Sequence, residues 1–409
     1  MPKEKIISGL DIGSFKIRTV IGKKTEEDEK PHIIGIGESL SSGIRRGQVV
    51  DVEEAVSSIS ASLEQAERTS GVPIEHAYVN IGGSHIVSTR SKGVIAVSRA
   101  DNEITEEDVA RVIDAAQAIS IPANMEILHV IPKNFIVDGS GGIKDPVGMT
   151  GVRLEVEANI LQGASSFIKN LTKCVARVGI DIDELVVNPL ASAASSLTKR
   201  QKELGVVLLD IGAGTTGLIV FEEGDLLHLT ILPIGSGHIT NDLAIGLRCS
   251  VDTAEKVKLE YGQTNVKEID KKEEINLSEI DSREEGVIPL KQIAEIIEAR
   301  LSEIFSLADK ELKLIGRSGK LPAGVVITGG GAKLPGLVDL AKKELKLPAQ
   351  IGFPQELPTS LDKIDDPAFS TAVGLVIWGG THEHEERRKI FYLGKRVSQI
   401  RRWFKHFLP

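Results

Sequence analysis

Two stretches of this 409-residue sequence place an aspartate at the end of an apolar run, then glycine with small or hydroxylated residues, then a second apolar run. The first is Asp11-Ile12-Gly13-Ser14-Phe15-Lys16, between the runs at 6–10 and 17–21. The second is Asp210-Ile211-Gly212-Ala213-Gly214-Thr215-Thr216, inside 205–221. Glycine lets a backbone come close enough for its N–H groups to cradle phosphate oxygens. Each aspartate, at the end of a buried strand, could hold Mg2+ through the water shell that this ion gives up reluctantly. Lys16 would add a point charge on the phosphates, and the Thr215 and Thr216 hydroxyls further donors. Either motif alone reads equally as a hairpin turn, because Asp-Gly turns are common connections. Two of them, each opening a half-chain, predict a duplicated fold with one loop from each half facing a shared nucleotide cleft.

A third glycine turn, Thr328-Gly329-Gly330-Gly331-Ala332-Lys333, ends a strand-like run and is expected to open a helix. The positive end of a helix dipole suits the α-phosphate and ribose side of a nucleotide. A plain strand-to-helix turn fits the same residues. Glu255 and Lys258 fall on one helix face, either to grip ribose and adenine or as a solvated surface pair.

The elements that must hold these loops follow from periodicity. Strands are expected near both hairpins, at 33–38, and at 79–81 running into Gly82-Gly83. Helical spacing marks 52–68, 165–178, 191–198, 251–259, 289–314 and 368–378. Residues 84–165 differ in texture. Short strands at 86–88, 93–97, 126–132, 134–138 and 153–160 surround a helix at 105–119, which opens with Thr105 and Asp108 at capping spacing. This reads as a small α+β unit spliced into the first domain.

Such a length predicts two domains or a split architecture. A net charge of −9 argues against a nucleic-acid coat, which needs a broad basic surface. The two cysteines, Cys174 and Cys249, are far apart and are expected to be reduced thiols. No secretion signal precedes the first strand, and no apolar run reaches the ~18–20 residues of a spanning helix, so a cytoplasmic location with peripheral membrane contact is expected.

The C-terminal segment is unlike the body, with no acidic residue after Glu386. Leu393, Val397, Ile400, Phe404, Phe407 and Leu408 lie on one helical stripe. Lys395, Arg396, Arg401, Arg402 and Lys405 cover the flanks and back, and Trp403 borders the stripe. Large apolar residues on one face and cations on the other predict an interfacial helix on an anionic membrane. A terminal helix packed on the body, or a partner-binding helix, are the alternatives.

In order and spacing these pieces resemble the actin/Hsp70/sugar-kinase superfamily. Residues 10–21 are similar to its first phosphate motif, 189–197 to its first connecting helix and 206–221 to its second phosphate motif. Residues 324–337 are similar to its adenosine motif and 368–379 to its second connecting helix. Within it, the chain resembles the bacterial cell-division family FtsA. The likeness rests on Asp145-Pro146-Val147-Gly148-Met149, Arg153-Leu154-Glu155, Pro233-Ile234-Gly235, Ile239-Thr240-Asn241-Asp242-Leu243-Ala244 and the basic terminal helix.

The resemblance implies an α/β, actin-like duplicated ATPase fold: a first domain of 1–83 and 166–200, an inserted α+β subdomain at 84–165, and a second domain of 201–244 and 307–380. A partner-facing subdomain at 245–306 and a linker with membrane-targeting helix at 381–409 complete it. It also implies ATP and Mg2+ as cofactors, with Gly235 added to the nucleotide site. Implied partners are further copies of the chain in filaments, later division proteins, an anionic membrane, and the C-terminal peptide of the tubulin-like FtsZ; no nucleic acid is implied. Arg300 would lie near that peptide's docking surface, or else be an ordinary exposed helix residue. Asn188 sits where related chains often have a longer side chain to orient water. It is short and no general base, so ATP would act mainly as a conformational ligand, with hydrolysis slow at most.

The expected function is a tether attaching division filaments to the inner membrane face at the division site. The runner-up is a pilus- or secretion-assembly scaffold of the same fold. A small-molecule kinase would need an aspartate base outside the phosphate loops, and none clearly suits. A chaperone ATPase would need a substrate domain after the last connecting helix, where too few residues remain.

Overall fold

In the computed structural model, residues 4–25, 27–28, 30–118, 121–270, 272–354, 357–359 and 364–382 are described. Two five-stranded sheets share one plan. In the first, the strands run in the order Asp181–Val187, His76–Ile81, Lys5–Ile12, Lys16–Lys24, His32–Leu40. In the second, Ala349–Ile351, Val325–Thr328, Val206–Ile211, Thr216–Glu222 and Asp225–Leu232 follow the same order. Each sheet is an antiparallel meander extended by two parallel strands, and the meander's first hairpin carries an Asp-Ile-Gly turn. The duplication expected from the two motifs is therefore built into the topology.

The halves meet through two helices, Asn188–Ser196 and Ser370–His382. Pro189 starts the first, where its missing N–H would be unsatisfied in any case. The helices cross so closely that a Cβ on Gly374 would stand 1.9 Å from the Ala191 carbonyl oxygen.

The insert is an antiparallel sheet in the order Val87–Ala96, Arg153–Ala164, Met125–Val137, Ser140–Ile143, with helix Glu106–Gln117 on one face. Val109, Val112, Ile113, Phe135, Leu154, Val156 and Ile160 form its core. Thr105 and Asp108 make the reciprocal capping box that their spacing suggested.

Two expectations need correction here. The runs at 86–88 and 93–97 form one strand, because Gly93 is a site of close approach: a Cβ there would meet the Val112 carbonyl at 2.0 Å. The runs at 126–132 and 134–138 also form one strand. Pro132 pairs with Ala158 beside a register shift, where its missing N–H is tolerated.

Elements not foreseen include strand Ala349–Ile351, helix Lys199–Leu204, strand Asp225–Leu232 and helix Ser236–Leu247. The last begins Ser-Gly and contains a second glycine, which masks its period. The third glycine turn forms a short 3-10 turn, Gly330–Lys333, and the α-helix begins only at Leu337–Leu345, because Pro335 and left-handed Gly336 (φ 79°) intervene. Both cysteines are free thiols. Helix Leu290–Leu314 buries Ile293, Ile297, Leu301, Ile304 and Phe305 against the second sheet's outer core. No helix among the described residues is long and apolar enough to cross a membrane.

The tight helix crossing predicts that Gly374→Ala costs about 2 kcal/mol or more, since overpacking against backbone cannot relax by a rotamer change. Denaturant unfolding should show a lowered midpoint; an unchanged one would contradict the packing described.

Candidate functional site

The first hairpin ends with Asp11 buried at its tip. Asn80, on the neighbouring parallel strand, donates its amide to Asp11 Oδ1 at 2.6 Å and accepts the Ile12 N–H at 2.6 Å. The second hairpin presents Asp210, whose Oδ2 accepts from the Ser192 hydroxyl at 2.5 Å and the Thr371 hydroxyl at 3.1 Å. Ser192 and Thr371 belong to the two crossing helices, so Asp210 is fixed from both halves of the molecule.

The two carboxylates are near enough to repel. Burial pushes the Asp11 carboxyl up to about 7; Arg18 opposes this in part, and Asp210 adds to it. Burial also raises Asp210, against the Ser192 and Thr371 hydrogen bonds and Arg18. Arg18 is thus the cation shared by both, although its Nε is bonded to Glu38 at 2.9 Å and its guanidinium stacks on Phe369 at 5.2 Å.

The loops touch. A Cβ on Gly214 would lie 2.9 Å from Ser14 Oγ and 2.9 Å from Arg46 Cα, and Ser14 Oγ accepts the Gly47 N–H at 2.9 Å. Gly13 closes the first turn, with its Cβ direction blocked by the Lys16 carbonyl at 2.6 Å, and Phe15 is exposed at the tip. The Gly212 N–H donates to the Thr215 carbonyl at 2.9 Å to close the second. Gly235 packs on Gly212 and Ala213, and the Ser236 and Gly237 N–H groups donate to the carbonyls of those two residues at 2.8 Å each. The third turn joins the same place: a Cβ on Gly329 (φ 84°) would meet Asp210 Oδ1 at 2.4 Å, Gly331 packs on Ile211, and Gly330 faces open space. Asp11, Asp210, the glycines of both hairpins, Gly235 and Gly329–Gly331 therefore converge.

Four expected donors are engaged elsewhere. Lys16 Nζ lies 2.5 Å from Glu38 on the neighbouring strand. Burial alone would raise Glu38, and the Lys16 and Arg18 bonds hold it below the usual carboxylate range. Thr216 is fully buried and gives its proton to the Ile234 carbonyl at 2.8 Å, so it is no donor to the cleft. Lys333 pairs with Asp366 at 2.6 Å. Lys258 is buried, not a solvated surface residue, and binds Glu255 at 2.6 Å and Thr240 at 2.9 Å; Thr240 in turn donates to Glu255.

Asn188 Oδ1 is buried without a hydrogen-bond partner among the described residues, and Gly82 fits against its amide. Arg300 is not a plain exposed residue. It forks onto Asp242 at 2.6 and 2.8 Å, also bonds Glu303, and lines a groove of about 350 Å³ with Ile245, Ile296 and Ala299. The membrane-facing candidates Leu393, Val397, Ile400, Arg401, Arg402, Trp403, Phe404, Phe407 and Leu408 lie outside the described residues.

Sequence reasoning missed Arg18, Asn80, Ser192 and Thr371. Asn80 stands two residues before Gly82-Gly83, a strand-end signal that could have marked it; the other three carry no local signature.

Twin sheets, crossing helices and facing carboxylate hairpins define an actin-like fold. The structure resembles the PilM-PilN type IV pilus biogenesis complex with a TM-score of 0.66 at 17% identity, covering 91% of this chain and 98% of that one. It resembles MreB5 of Spiroplasma citri bound to ADP with a TM-score of 0.53 at 14% identity, over 92% and 97%. In sequence, residues 207–374 match the family described as Cell division protein FtsA, and residues 83–162 match the SHS2 domain inserted in FtsA. The Cell division protein FtsA of Borreliella burgdorferi is 39% identical over 407 residues, covering 98% of both chains. Those of Pseudomonas aeruginosa and Bacillus subtilis are each 38% identical, over 92% and 95% of this chain and 89% and 87% of theirs. The chain belongs to the FtsA family of cell division proteins.

The elevated Asp11 pKa has a signed consequence for the nucleotide-free protein. The folded state keeps a proton up to about pH 7 that the unfolded state releases near 3.8, the ordinary value for an aspartate. This contribution to stability is full below pH 3.8 and is lost as pH rises to 7. Asp11→Asn should therefore gain stability relative to the unaltered chain across that window and level off above it. Denaturant titrations from pH 4 to 8 would read this; a difference independent of pH would contradict the buried, repelled carboxylate.

Proposed function

We propose that this chain binds ATP with Mg2+ in the cleft between its twin sheets, polymerises on the inner face of the membrane, and tethers FtsZ filaments there while recruiting later division proteins. The observation that supports it most is the pair of desolvated carboxylates, Asp11 buried and Asp210 half-buried, at facing hairpin tips. Such a pair suits a hydrated divalent cation, and the surrounding glycine backbone suits phosphates. No three metal-ligating side chains cluster among the described residues, so a cation held by Asp11 and Asp210 would take its other ligands from water and phosphate oxygens. Mg2+ would supply charge neutralisation of the phosphates. Gly13, Ser14, Gly212–Thr215 and Gly235 would surround them, Gly329–Gly331 the ribose side, and Glu255, held in place by Lys258, the outer sugar.

The side-chain inventory favours a conformational ligand over rapid turnover. Asn188 offers an acceptor but no general base. The groove beside Arg300 would receive the FtsZ C-terminal peptide, with exposed Ile245 as its apolar wall and the Asp242-held guanidinium for a carboxylate. The basic terminal helix would anchor the whole by shallow insertion, reinforced by polymer avidity. The pilus-scaffold alternative shares the fold at 17% identity, whereas division proteins share 38–39% of residues, which favours the tether.

Flotation with anionic liposomes and ATP tests the tether. The intact chain should float, and a chain ending at Glu386 should stay in solution. If both float equally, or neither does, the terminal helix is no membrane anchor and the tether reading falls.

A further inference from the structure

The insert does more than project from the first half; it grips both halves across the crossing helices. On the first-half side, His129 Nε2 accepts the Val187 N–H at 3.2 Å, one residue before helix Asn188–Ser196 begins. On the second-half side, Asn159 donates its amide to the Leu226 carbonyl at 2.8 Å, and Asn159 is buried there. Lys144 reaches the same hairpin, pairing with the buried Asp225 carboxylate at 2.6 Å and donating to the Glu223 carbonyl at 3.1 Å.

Both anchors sit on one rigid antiparallel pair. His129 is opposite Leu161, and Ile131 is opposite Asn159, so the two grips are one pleat apart on adjacent strands. Ile131 and Leu161 also enter the apolar core that runs beneath both sheets, together with Val187 and Leu190 on one side and Phe221, Leu226 and Leu229 on the other. A rotation of the second sheet against the first about the crossing helices changes the separation of Val187 and Leu226. A stiff sheet gripping both ends resists that change, or else turns with it.

We propose that the insert is a latch on the cleft, with Lys144–Asp225 and Asn159–Leu226 as its releasable side. The halves then cannot change their angle around a nucleotide without either loosening these bonds or swinging the insert. By linkage, whatever holds the insert also changes how tightly the cleft holds its nucleotide. This inference rests on nucleotide binding in the cleft.

The test is release of fluorescently labelled ADP from the full chain, compared in Lys144→Glu, Lys144→Met and Lys92→Glu. Lys144 is partly exposed, so both substitutions should fold. Lys92 pairs with Glu157 inside the insert and touches no second-half residue through that bond, which makes it the charge control. Release should be faster by about 3-fold or more in Lys144→Glu, less so in Lys144→Met, and unchanged in Lys92→Glu. Hydrogen exchange in residues 222–232 should also differ between the ADP-bound and nucleotide-free unaltered chain. Equal release from all four proteins, or equal acceleration by the Lys92 control, would overturn the latch while leaving nucleotide binding intact. Failure of the unaltered chain to bind labelled ADP at all would overturn the cleft reading, and the latch with it.

Discussion

Two carboxylates, Asp11 buried and Asp210 half-buried, are withdrawn from solvent at the tips of facing hairpins, with the Arg18 guanidinium opposing the rise that burial gives both. Burying like charges together is unfavourable unless something compensates. The fold compensates only in part: Asn80 satisfies Asp11, and Ser192 and Thr371 satisfy Asp210. Because Ser192 and Thr371 come from the two crossing helices, the position of Asp210 is set by the same contact that joins the halves. Gly329 must lack a side chain for that carboxylate to fit, which brings the third turn into the same arrangement. The hydrated cation and phosphates proposed for the cleft would relieve the remaining repulsion, and would then link nucleotide chemistry to the joint between the halves.

The surrounding architecture carries that local arrangement outward. Twin sheets give each half a platform, and the crossing helices pack backbone to backbone at Gly374 and Ala191. The insert sits beside this joint and holds both halves through polar contacts above a shared apolar base. Farther out, Arg300 and Asp242 hold a groove in shape on the second half. Site, joint and insert are thus linked by direct contacts in a chain that belongs to the FtsA family.

Much of this was legible in the sequence, for identifiable reasons. Asp-Ile-Gly flanked by apolar runs marks a hairpin tip wherever it occurs, and its repetition signalled the duplication. The Thr105–Asp108 box and the long helix over 290–314 were legible because their signals are local. Errors arose where register or close approach decides. Lys16 binds Glu38 because the antiparallel register brings these strands side by side, a fact absent from spacing alone. Gly93 was expected to open a separate strand and instead lies inside one, as a packing site for helix Glu106–Gln117. Thr216 carried the right chemistry, but its hydroxyl faces a buried carbonyl. Ser192 and Thr371 reach Asp210 only after two distant helices cross, so no local pattern could have marked them.

Calorimetric titration of ATP into the unaltered chain and into Asp210→Asn, with Mg2+ and with chelator, is the decisive measurement. The asparagine keeps the hydrogen-bonding shape beside Ser192 and Thr371 but removes the charge. Tight binding by the unaltered chain that weakens when Mg2+ is removed, and weak, Mg2+-indifferent binding by the variant, is the predicted result. Equal affinity of both proteins with and without Mg2+ would contradict the assignment of the facing carboxylates to a nucleotide-bound cation.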